Sequence, residues 1–172
     1  SLVIGAVTTS LIVLTVSVKN SRSLTNKLFI GLAVGLVGWS IANYFSLHTS
    51  SDMQTLQRIR FVMLFVVIQN TFFFFLASVF PDYKNSLFKQ KRYKIAAVFA
   101  VVTALLTVSP FLFVDFKEGA PVPGPGMAFF LPHALLFAVG GLIILFLRYK
   151  RSKGVKRSSF SISWLDQSYC SR

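Results

Sequence analysis

Long apolar runs alternate with short basic ones along the whole chain. The apolar runs cover residues 2–18, 28–47, 61–80, 95–114 and 127–147. A helix rises about 1.5 Å per residue and needs roughly 20 residues to cross a bilayer core, so four of the runs have spanning length and the first is slightly short. The last four contain no Asp, Glu, Lys or Arg. Apolar core helices of a soluble domain rarely recur four or five times in a row, so these uncharged runs in succession predict membrane helices. The expected fold class is all-α: a polytopic transmembrane helix bundle of about five spans.

The basic residues supply an orientation. Lys19, Arg22 and Lys27 follow the first run. Lys84, Lys89, Lys91, Arg92 and Lys94 follow the third, and Arg148, Lys150, Arg151, Lys153, Lys156 and Arg157 follow the fifth. The two remaining connections are poorer, with Arg58 and Arg60 against Asp52, then Lys117 against Asp115 and Glu118. Basic connections stay on the cytoplasmic side, which places the N-terminus outside and the C-terminus inside. In a bacterium this is the cytoplasmic, or inner, membrane.

Composition agrees with this reading. Hydrophobic residues make up 54% of the 172 and charged residues 13%, where a soluble domain carries about 25% charged. Mean hydropathy is +0.66. The net charge of +13 could suggest nucleic-acid binding, but the cations lie between the apolar runs, where they act as topology determinants beside anionic lipid. No nucleic-acid partner is expected. The single Cys170 forms no internal disulfide. The chain opens at Ser1 inside an apolar run, so no cleavable signal peptide is expected and the chain reads as part of a longer protein.

Two segments interrupt the helical pattern. Residues 116–126 hold Pro121, Pro123, Pro125, Gly119, Gly124 and Gly126, a density that ends a helix and predicts an external loop, with a short lid over the helix ends as one form of it. Residues 158–172 form a Ser-rich polar tail, too polar for a sixth span. The expected division is therefore a membrane region at 1–157 and this tail.

Within the runs, small and polar residues are the candidates for chemistry. Gly31, Gly35, Gly38 and Ala42 recur at intervals of four, three and four along one stripe. Such a stripe lets two backbones approach closely and predicts a helix-packing seam, with a ligand groove as the alternative. Trp39, Asn43 and Ser46 mark another stripe of the same run. Gln69 and Asn70 lie mid-run, Thr107 and Ser109 stand beside Pro110, and His133 follows Pro132. Polar groups at membrane depth face protein rather than lipid. Trp39, Asn43, Gln69 and His133 are the candidate pocket lining, with ordinary interhelical hydrogen bonding as the alternative. No catalytic, cofactor-binding or metal-binding residues are expected. His133 has no His or carboxylate three or four residues away, and the runs lack the acidic residues of a cation-coupled carrier.

The stretch Asn20-Ser21-Arg22-Ser23-Leu24-Thr25-Asn26-Lys27-Leu28-Phe29, with Trp39 ten residues on, resembles the N-terminal seven-transmembrane sensor region of bacterial histidine kinases. Arg58 and Arg60, the aromatic third run ending Phe80-Pro81 and the Pro-rich segment before the fifth run fit the same pattern. The resemblance covers about residues 1–157. It implies a signal-sensing input region whose spans pass a change to cytoplasmic dimerisation and ATP-binding domains. A sixth span of that pattern would begin where residues 158–172 stand, and a truncation or frameshift would explain the difference. The chain carries no phosphoacceptor or ATP-binding segment, so it is not expected to be an enzyme by itself. Expected partners are the bilayer, an unidentified ligand and a downstream kinase module, with a homodimer as an option. The alternative function is a fragment of a small transporter or permease.

Overall fold

The structure, a computed structural model, describes residues 23–48, 51–80, 90–117 and 119–169, with 151–169 as helical backbone. In chain order the elements are α1 (Leu24–Leu47), α2 (Asp52–Val79), α3 (Lys91–Val108), β1 (Phe113–Lys117), β2 (Ala120–Pro123) and α4 (Met127–Tyr169). The expected span at 2–18 lies outside the described residues. Among the described residues three helices are long and apolar enough to cross a membrane: α1, α2 and the Met127–Lys150 part of α4.

Helix ends follow local chemistry. α2 begins at Ser51, with Asp52 in its first turn, where a carboxylate meets the positive end of the helix dipole. It therefore starts well before the apolar run, and Arg58 and Arg60 sit on the helix instead of in a connection. α2 ends at Val79 because Pro81 holds Phe80 in an extended conformation, φ −74° and ψ 138°.

The run at 95–114 requires a correction. Its helix covers 18 residues, Lys91–Val108, and rises only about 27 Å. Pro110 holds Ser109 extended at φ −84°, ψ 161°, and the rest of the run turns into β1.

The all-α expectation is amended at the same place. Residues 113–123 form a two-stranded antiparallel hairpin, pairing Phe113 with Pro123 and Lys117 with Ala120. Prolines end helices but are tolerated on edge strands, and a two-stranded hairpin has only edges. Gly119 at its tip has φ 78°, a conformation glycine adopts without steric cost. At the base, the Gly124 and Gly126 N–H groups donate to the carbonyls of Leu112 and Phe111 at 2.8 and 2.9 Å. A side chain at Gly124 would run into the Phe111 carbonyl.

The fourth helix is longer than its apolar run. It continues as one helix of 43 residues, about 64 Å, into the segment expected as a polar tail.

α2 is the hub. Four consecutive residues of a helix point in four directions about 100° apart, and the run Phe72–Phe75 uses all of them. Phe72 lies against Gly31 of α1, while Phe73 and Phe74 lie against Gly141 and Gly140 of α4. Phe75 joins Leu28, Val79 and Tyr93 in the core cluster at the end carrying Lys91 and Arg148, the basic end. A second cluster at the hairpin end unites Leu56, Val67, Leu112, Phe113 and Phe130. The outward faces are as apolar as the core, with Val98, Leu105 and Leu136 each 64% exposed. Hydroxyls inside the bundle are satisfied without water: Thr71, Ser78 and Thr103 each donate to the carbonyl four residues back.

Candidate functional site

The glycine stripe of α1 faces α2 in antiparallel register. Gly31 meets the Phe72 ring, Gly35 meets the Gln69 backbone, and Gly38 meets the Phe65 ring. The middle contact is the closest between main chains, since a Cβ on Gly35 would lie 3.0 Å from both N and Cα of Gln69. Ala42 continues the stripe into a groove at the hairpin end, which it lines with Gly38, Phe61 and Phe65. Gln69 Oε1 is buried and has no hydrogen-bond partner among the described residues.

The other side of α2 carries the polar contact. His133 of α4 is completely buried. Its Nε2 lies 3.2 Å from Thr71 Oγ1 of α2, and its ring stacks on Phe137 with centroids 4.2 Å apart. Phe99 of α3 closes the cluster at 5.8 Å. The Thr71 hydroxyl donates to the Val67 carbonyl at 2.7 Å, so it accepts from His133 and the imidazole Nε2 carries the proton. Nδ1 has no partner among the described residues.

Trp39, Asn43, Gln69 and His133 are not brought together. Trp39 and Asn43 are half-buried on α1, and Gln69 faces that helix. Thr71, two residues further, points roughly 200° away around α2, and His133 lies on that side. α2 stands between His133 and the two α1 residues, and Gln69 lies on its α1 side. The described residues hold no group of three or more His, Cys, Asp or Glu able to bind a metal.

Sequence reasoning missed three contributors. Thr71 pairs with His133 across 62 positions, a separation that no local pattern reveals. Gly140 and Gly141 form the α4 counterpart of the α1 stripe, and their signal was the Gly-Gly pair inside an apolar run. The arginines are the third. Arg58 donates to the carbonyls of Phe45 and His48 at 2.6 and 3.4 Å. Arg148 donates to the Ser78 carbonyl at 2.6 Å and to the Phe80 carbonyl. Each cation thus sits on the negative C-terminal end of a neighbouring helix, α1 or α2. Arg60 completes the set by donating to the Phe113 carbonyl at 2.6 Å, which ties the hairpin to α2.

Residues 1–165 match the family described as the N-terminal 7TM region of histidine kinase. No curated protein and no solved structure matches the chain.

Proposed function

Because this chain belongs to the family of N-terminal 7TM regions of histidine kinases, we propose that it is the membrane-embedded, signal-sensing input region of a bacterial sensor kinase in the inner membrane. The family match over residues 1–165 carries this reading. Its spans lie with the N-terminus outside and the C-terminus in the cytoplasm, and the kinase core follows as a separate module.

The mechanism is a shift between two packings of the bundle. α2 packs against α1, α3, α4 and strand β1, so a change at the hairpin end reaches the other helices. α4 then acts as the output rod, since one continuous helix runs from the hairpin to Tyr169. Pro132 lies inside that helix near its start. It removes one backbone hydrogen bond there and makes the turn beside His133 the natural bending point.

The test is autophosphorylation by the kinase that carries this region, reconstituted in vesicles. His133→Ala and Asn43→Ala are expected to change the rate or its response while membrane insertion stays normal. If both variants insert normally and leave the rate untouched, the sensing role of these positions is lost. Orientation has its own test in Cys170. A membrane-impermeant thiol reagent should label it only after the inner membrane is opened.

A further inference from the structure

The groove between α1 and α2 at the hairpin end combines an apolar wall with a cation. It holds about 410 Å³ and is lined by Gly38, Ile41, Ala42, Phe61 and Phe65, with Arg58 as its charged residue. Sites for small molecules occupy about 300–1,000 Å³. On the α1 side Ala42 supplies little bulk, while the Phe65 ring lies against Gly38. Ile41 and Phe61 are each 50% exposed, so the groove opens sideways, toward the bilayer.

Arg58 is held in place at this wall. Its guanidinium donates to the Phe45 carbonyl at 2.6 Å and lies 5.9 Å from the centre of the Phe45 ring. It also offsets the negative carbonyl end of α1, which would otherwise repel an anion. A planar guanidinium at the end of an apolar groove matches a carboxylate at the end of a hydrocarbon chain.

We infer that this groove binds a single-chain anionic amphiphile, a long-chain carboxylate that enters from the membrane. The inference rests on the sensing reading above, to which it adds a ligand class. One chain and one charge fit one groove and one cation, whereas a bilayer phospholipid brings a second chain that the groove does not accommodate.

The experiment places the full chain in nanodiscs of zwitterionic phosphatidylcholine and titrates parinaric acid, a fluorescent long-chain carboxylate, against its neutral methyl ester. The acid should bind saturably and the ester about tenfold more weakly. Arg58→Gln should bring the acid down to the level of the ester without moving the ester. Ala42→Phe, which fills the groove and leaves Arg58 in place, should abolish saturable binding of both.

Equal binding of acid and ester would overturn the inference, because the groove would then take lipid without regard to charge. Binding unchanged by Ala42→Phe would place the acid elsewhere and overturn it too. Displacement of the acid by phosphatidylglycerol added in small proportion would reassign the site to a bilayer phospholipid. The acid–ester comparison uses the unaltered chain, so poor folding of the Arg58 variant leaves the test intact. Binding that leaves autophosphorylation unchanged would retain the site and remove the sensing reading, and the converse result would separate them the other way.

Discussion

α2 is packed on two sides by different means. Toward α1 the contact is steric: glycines admit the Phe72 and Phe65 rings and bring Gly35 against the Gln69 backbone. Toward α4 the contact changes along its length, from Gly140 and Gly141 under the Phe74 and Phe73 rings to the His133–Thr71 pair near the hairpin. Lipid supplies no hydrophobic drive between helices, so close packing and interhelical hydrogen bonds must supply association. A steric seam has one good arrangement and loses it when bulk is added. A polar seam can exchange partners, and its His133 Nδ1 is an acceptor site in reserve. The comparison assigns rigidity to the α1 side and adjustability to the α4 side.

The largest expected effect tests the rigid side. Gly35→Leu forces a side chain against Gln69 N and Cα, which are main-chain atoms and cannot rotate away. A loss of about 3 kcal/mol is expected, measured by denaturant titration in mixed micelles. Gly38→Ala should cost less and be rescued by Phe65→Leu, because there the obstacle is a ring. Equal damage at both positions, with no rescue, would mean that the seam does not discriminate backbone from side chain.

The adjustable side should respond more gently to loss of its hydrogen bond than to loss of its bulk. His133→Ala removes a buried ring stacked at 4.2 Å and should cost about 2–3 kcal/mol. Thr71→Val keeps the shape and removes the acceptor, so about 0.6 kcal/mol is expected. A double-mutant cycle between the two measures the pair directly. A coupling well above the single Thr71 effect would make this seam as rigid as the other.

Gln69→Met falls between the His133→Ala and Thr71→Val effects in size and has the opposite sign. Gln69 Oε1 is buried without a partner among the described residues, and removing an unsatisfied polar atom from an apolar seam should stabilise by about 1 kcal/mol. The same titration decides it. A destabilised Gln69→Met chain would show that the amide is bonded in the membrane and that the α1 seam is not purely steric.

The two seams were also unequally legible. Gly31, Gly35 and Gly38 announce a stripe because helical periodicity is local, and the apolar runs announce helices for the same reason. The His133–Thr71 pair needed the fold, since it joins residues 62 apart. Gln69 and His133 looked like neighbours in a pocket because both are polar and both lie at membrane depth. Depth says nothing of azimuth, and the structure sets them on different sides of α2. Hydropathy misjudged residues 109–114 as well: this turn and the start of β1 are as apolar as a helix, and only the steric effect of Pro110 on Ser109 distinguishes them. The arginines read as topology signals from their position between runs. Their hydrogen bonds to helix ends depend on which carbonyls lie nearby, a fact no composition contains.

The smallest expected effect is at the hairpin that covers the adjustable end. The Phe116 N–H donates to Asp115 Oδ1 at 2.8 Å, and Lys117 Nζ lies 3.2 Å from Oδ2. The backbone donor first and then the lysine hold the Asp115 carboxyl below its ordinary value of 3.8. A depressed folded value means that the stabilisation is complete above that ordinary value and is lost as pH falls through the folded one. Acidification below about pH 4 should therefore loosen the hairpin, and Asp115→Asn should remove this pH dependence. Because Arg60 ties the Phe113 carbonyl to α2, a spin label on the exposed strand residue Val114 should report the loosening, while one on α1 at the exposed Val34 should not move. A response at both labels would mean that the hairpin grips the whole bundle, and the division between a rigid and an adjustable side would have to be redrawn.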